Sequence, residues 1–154
     1  MSKNFLEINN VTFAIGGKKK VNDVNISIKN EGDIICILGP SGIGKTTILR
    51  SIAGLEKINH GEIILKNKVI SSKKIHIEPE KRNIALSFQE NSLFPHYTID
   101  KNIHLGIKKN LSTKKNINSK EIINILNIED ILNIYPHEIS AGEAQRASLA
   151  RSLI

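Results

Sequence analysis

The stretch Gly39-Pro40-Ser41-Gly42-Ile43-Gly44-Lys45-Thr46-Thr47 is the part of this sequence best equipped for chemistry. Its spacing is G-x-x-x-x-G-K-T. Glycines allow main-chain N–H groups to close around a polyphosphate, because no Cβ blocks the approach. A helix opening at Lys45 would add the positive end of its dipole. Lys45 is expected to reach the β- and γ-phosphates, and Thr46 to offer its hydroxyl to Mg²⁺. Thr47 is expected to support the α-phosphate side. The ligand this chemistry suits is ATP or GTP. The plainer alternative, a glycine turn beside an ordinary lysine, fits the flanks poorly: an apolar run precedes the loop and an amphipathic segment follows it.

A second candidate is Ser140-Ala141-Gly142-Glu143. Serine at an N-cap with glutamate three residues on is a capping box. The helix it opens offers bare N–H groups and partial positive charge, which is an anion site. On the box alone, a plain capped helix without a ligand is the simpler reading. Gln89 closes the apolar run Ile84-Ala85-Leu86-Ser87-Phe88. Its amide can donate and accept without a change of charge; taken alone, it is equally a solvated strand end. The five histidines show no metal-ligand spacing and read as surface or helix-end residues. The single cysteine, Cys36, permits no internal disulfide and reads as a small core residue.

These groups need a scaffold, and the apolar pattern suggests one. Phe5 to Phe13 alternates loosely and Val24 to Ile28 cleanly, as strands do; the second is expected to be half-buried and antiparallel. Ile34 to Leu38 is continuously apolar, as expected of a central parallel strand covered on both faces. Lys45 to Leu55 has helical spacing. Gly61 to Leu65 and Ile84 to Phe88 read as strands, with strand fragments and loops between them. Thr98 to Leu105, Ser119 to Leu126 and Gly142 to Ile154 read as helices. Ile125-Leu126-Asn127-Ile128-Glu129-Asp130 imitates a strand ending in two acids. Asn127 interrupts it within a helical pattern, so its acids are expected to begin the next short helix.

The chain has 154 residues, 40% of them hydrophobic, enough for a packed core. No run approaches the ~18 apolar residues of a membrane span, and Met1 to Phe5 lacks the apolar core of a secretory signal. Lys and Arg number 22 against 15 acids, for a net charge of +7. The lysines lie in separate loop-like places, so direct nucleic-acid recognition is not expected.

Taken in order, three of these segments resemble the ATP-binding subunits of ABC transporters. They are the phosphate loop, Gln89 after Phe88, and Ile139-Ser140-Ala141-Gly142-Glu143-Ala144-Gln145-Arg146 running on to Leu149-Ala150-Arg151-Ser152-Leu153. Glu78 to Gln89, Leu93-Phe94-Pro95-His96 and Tyr135-Pro136-His137-Glu138 are similar to the importer branch, nearest the iron(III), polyamine, sulfate and sugar import ATPases. The resemblance implies an α/β fold: a P-loop NTPase core with N-terminal antiparallel strands and a helical subdomain. Residues 1–89 would be the nucleotide-binding core, 90–139 the helical subdomain, and 140–154 the signature segment with its helix.

The activity implied is ATP hydrolysis coupled to solute import, with ATP and Mg²⁺ as cofactors and Lys45 and Gln89 as catalytic residues. Gly39 to Thr47 and Ser140 to Glu143 would hold nucleotide; Thr46 and Gln89 would hold Mg²⁺. The implied partners are a second ATPase subunit, head to tail, and transmembrane permease subunits. The implied location is the cytoplasmic face of the membrane, with no transmembrane segment of the chain's own.

Three departures bear on this. Ala141 stands where the family has glycine. Ile15 stands where the family stacks adenine on an aromatic, which leaves Phe13, two residues earlier, as a substitute. The family's next strand, the Walker B strand ending Asp-Glu, and its switch histidine lie beyond Ile154. The chain is therefore read as truncated and expected to bind nucleotide weakly with little or no hydrolysis, and to be marginally stable. Two alternatives stay open: a non-catalytic nucleotide-binding fragment, and a nucleic-acid-linked ABC ATPase.

Overall fold

The computed structural model describes residues 4–15, 19–88, 93–105 and 118–154. They divide into two compact units, Met1–Ile84 and Ala85–Ile154.

The first unit is built on β1 (Leu6–Ile15), β2 (Lys19–Ile28), β3 (His60–Leu65) and β4 (Lys68–Ser72), with helix α1 (Lys45–Ala53) between β2 and β3. The sheet order is β2-β1-β3-β4 and every pairing is antiparallel. The loose alternation of β1 has a structural cause. Ile8 opposes Ile26, whereas Val11 opposes Val24, so β1 carries an extra residue there. Asn10, at φ 48°, absorbs it as a bulge. Leu6, Ile8, Val11 and Phe13 are all buried as a result, despite the change of parity between Ile8 and Val11.

Their cluster is completed by Ile63 of β3, Ile70 of β4, Ile48 of α1 and Ile58. Each such side chain contributes about 1.5–3 kcal/mol through removal from water. Val24, Ile26 and Ile28 of β2 are half-buried against the same cluster, as a one-sided antiparallel strand requires.

Helix α1 ends in a Schellman motif. The Leu55 amide donates to Arg50 O at 2.8 Å and the Gly54 amide to Ser51 O at 3.2 Å, with Gly54 at φ 91°.

Two expected strands are absent. Neither Ile34–Leu38 nor Ile84–Phe88 joins a ladder. Ile34 is 98% and Leu38 84% exposed, not covered on both faces. Apolar character is local, but a strand exists only where another supplies its hydrogen-bond partners; the four strands present pair among themselves. Cys36, expected in the core, is exposed with that segment. Phe13, the substitute for the adenine-stacking aromatic, is only 1% exposed, so its ring is a core element with no face left for a base.

The second unit is helical: α2 (Ile99–Ile103), α3 (Ser119–Ile125) and α4 (Ala141–Leu153). Its core joins Ile99 and Ile103 of α2 and Ile122 and Ile123 of α3 to Ala144, Ala147 and Ala150 of α4. The small residues on α4 let its neighbours approach closely. Asn102, fully buried, accepts from the Phe94 amide at 2.7 Å and donates to the carbonyls of Phe94, Tyr97 and Thr98 at 3.0 to 3.1 Å. One side chain thus satisfies the turn between Phe94 and Thr98. Glu129 and Asp130 open a short 3₁₀ turn at 129–131, in line with the helical reading of that acidic pair.

Candidate functional site

The glycine-rich loop enters α1 through Gly44, which is buried and sits in the left-handed region at φ 108°. Gly42 shares that region at φ 76°. A side chain at either position would be strained. The Ile43 amide donates to Pro40 O at 3.4 Å, which closes the loop's first turn. No side chain caps α1. The first amides of a helix have no partner within it, so those of the opening turn keep their capacity for an external acceptor.

Lys45 sits over this loop. Its Nζ donates to Gly39 O at 2.7 Å and to Pro40 O at 2.9 Å. The two carbonyls hold an ammonium at the positive end of the helix dipole, where alone it would be repelled. An anion with several charges is the ligand that answers this concentration of cation and amide. Ser41 and Thr46 are exposed, and Thr47 is half-buried. Lys45 and Thr46 border a cavity of about 370 Å³, whose other walls include Ile35, Ile37, Leu49 and Ile28. A threonine hydroxyl beside a lysine can contribute one oxygen to a hard cation such as Mg²⁺, with water and phosphate supplying the rest.

In the second unit, Ser140 and Glu143 form the expected capping box. Ser140 Oγ accepts from the Glu143 amide at 3.3 Å, and the Ser140 amide donates to Glu143 Oε2 at 2.8 Å. The Ser140 hydroxyl also donates to Oε2 at 2.6 Å. These hydrogen bonds, the hydroxyl's first, hold the Glu143 carboxyl below the usual range, with Arg146 assisting. Ala141 and Gly142 are exposed at the helix start.

Gly39 to Thr47 are therefore gathered in one loop and helix start, and Ser140 to Glu143 in another. Gln89 lies outside the described residues. Sequence reasoning passed over Arg82, which is buried and bonds to the end of α1. Two of its partners are main-chain carbonyls about 30 residues away, and no residue pattern marks such an arrangement.

Comparison with known proteins fits this geometry. The ABC transporter family profile matches residues 21–154. The iron(III) import ATP-binding protein FbpC of Escherichia coli O157:H7 is 36% identical over 154 residues, covering 99% of this chain and 43% of that protein. The spermidine/putrescine import ATP-binding protein PotA of Pasteurella multocida is 34% identical, covering 99% of this chain and 40% of its own length. The chain thus spans about two fifths of these relatives. A dimeric ATP-binding cassette in a post-hydrolysis state, bound to ADP and Pi, superposes with a TM-score of 0.73 at 26% identity, over 96% of this chain and 68% of that one. The α/β fold is that of these cassettes, with a P-loop NTPase core, and the chain belongs to the ABC transporter family.

Proposed function

We propose that this chain is the nucleotide-gripping segment of an ABC importer's ATP-binding subunit. The observation that carries the reading is the Lys45 ammonium, held by the Gly39 and Pro40 carbonyls at the uncapped start of α1. Gly39, Ser41, Gly42 and Gly44 offer main-chain amides to the phosphates, and Pro40 and Ile43, joined by their own turn bond, shape the loop around them. Lys45 neutralises charge on the β- and γ-oxygens, and Thr46, with Gln89, ligates Mg²⁺. Mg²⁺ held there would supply charge neutralisation for the phosphates. In the whole protein this supports ATP hydrolysis by in-line attack of water on the γ-phosphate.

Ser140 to Glu143 serve the γ-phosphate of ATP held by a second cassette, head to tail. The capped α4 supports this with an amide-rich helix start, and the dimeric cassette of similar fold supports the pairing. Transmembrane permease subunits complete the assembly, which places the chain at the cytoplasmic face of the membrane. Among the described residues no helix is long and apolar enough to cross a membrane. The curated relatives favour an imported solute such as iron(III) or a polyamine.

The test is calorimetric titration of the chain with Mg·ATP, beside Lys45→Ala. Saturable binding that the substitution removes upholds the reading; equal binding by both forms, or none by the folded chain, overturns it.

A further inference from the structure

Arg82 is the one buried charged residue among those described, at 2% exposure. Its guanidinium meets no carboxylate at ion-pair distance among the described residues. Its hydrogen bonds go to neutral acceptors, while the Glu78 carboxylate acts on it from beyond contact distance. Nη1 donates to Ser51 O at 2.8 Å and Ile52 O at 2.9 Å; Nε donates to Ile77 O at 2.6 Å; Nη2 donates to Ser71 Oγ at 2.8 Å. Two stretches distant in sequence are thereby tied: the last turn of α1, and the end of β4 with the strap (73–81) that leads from it to Arg82. The site is shaped for this group. A Cβ on Gly54 would lie 2.5 Å from Arg82 Nε and 2.8 Å from Cζ.

We infer that Arg82 is a positioning residue for the phosphate loop, acting through α1 from the end opposite Lys45. This rests on the nucleotide-binding reading above. The physical argument is short. The last carbonyls of a helix carry partial negative charge and lack partners within it. A planar guanidinium satisfies two of them at once and, through its other nitrogens, anchors them to β4 and the strap. Helix α1 has nine residues, about 13 Å at 1.5 Å per residue, and moves as a short rod. Fixing its C-terminal turn therefore fixes where its opening turn stands, and with it Lys45 and the amides after Gly44. Burying a charge with no ion pair has a cost, which a purely structural contact between α1 and β4 would avoid with apolar side chains.

The experiment uses the chain with Arg82→Lys, Arg82→Gln and, as a control for general loosening of the same unit, Ile70→Val. Two quantities are read: amide hydrogen exchange without nucleotide, and Mg·ATP affinity at a temperature where each form is folded. The expected result is faster exchange across α1 from Ile48, its first hydrogen-bonded amide, onward in both Arg82 variants but not in Ile70→Val. Mg·ATP affinity should fall about tenfold for Arg82→Gln, about 1.4 kcal/mol. Arg82→Lys, a point charge without the fork, should fall between it and the wild type. If Arg82→Gln does not fold, Arg82→Lys against Ile70→Val decides the matter.

Faster exchange confined to 51–55, or equal affinity losses in the Arg82 and Ile70 variants, would overturn the inference. A folded wild-type chain that ignores Mg·ATP would remove the proposed function, and the exchange pattern would still decide whether Arg82 sets the loop.

Discussion

The starts of α1 and α4 are both candidate anion sites, yet they are finished in opposite ways. Helix α1 has a glycine at its N-cap, no side-chain cap and a lysine ammonium overhead. Helix α4 has a serine cap and its own carboxylate folded back onto the Ser140 amide and hydroxyl. The first concentrates positive charge. The second has already spent part of its donors on Glu143. A helix start grips a polyphosphate by itself only if its donors are uncommitted and a cation is at hand. The capped start can at most complete a site whose charge is supplied elsewhere, which agrees with the role proposed for Ser140 to Glu143 opposite a second cassette.

The sharpest test of this contrast is at Lys45. Lys45→Ala should weaken Mg·ATP binding by about ten- to a hundredfold, the scale of one charge-assisted bond, with little change in the melting temperature. A loss of similar size from Glu143→Ala, with Lys45 intact, would erase the distinction.

Backbone shape comes next. Gly44→Ala puts a side chain at φ 108°, at a cost of about 1–3 kcal/mol, and should lower both stability and affinity in titration and denaturation series. Ser140→Ala should cost about 1 kcal/mol in the unfolding of the α4 unit and, at concentrations where the chain is monomeric, leave the nucleotide affinity of the loop as it was; a drop in the monomer's affinity would mean the two helix starts are not independent.

The smallest effect is that of pH. Glu143 is held below its ordinary value by Ser140. Its contribution is therefore complete above the unfolded glutamate pKa of about 4.3 and is lost as pH falls through the lower folded value. Glu143→Gln should flatten that part of the acid unfolding curve, followed by circular dichroism.

What could be read from the residues alone follows the range of the forces involved. The capping box and the glycine-rich turn that opens α1 are local, within nine residues or fewer, and the box and the helix start form where their spacing implies. Helices α1 and α4 and strands β1 to β3 follow from periodicity, and even the irregularity of β1 reflects the bulge at Asn10. The runs 34–38 and 84–88 have strand composition without strand structure, because pairing depends on partners that composition does not reveal. The same holds for Arg82 and Asn102. Both answer main-chain groups of a turn or helix end, and a buried polar side chain looks in sequence like any exposed one.

The crowding between Gly54 and the Arg82 guanidinium has a consequence for descent. A codon change at 54 that adds a methyl group meets two obstacles, the left-handed backbone at φ 91° and the guanidinium, and a smaller group at 82 removes only the second. The two positions thus constrain each other in space, although 28 positions separate them along the gene.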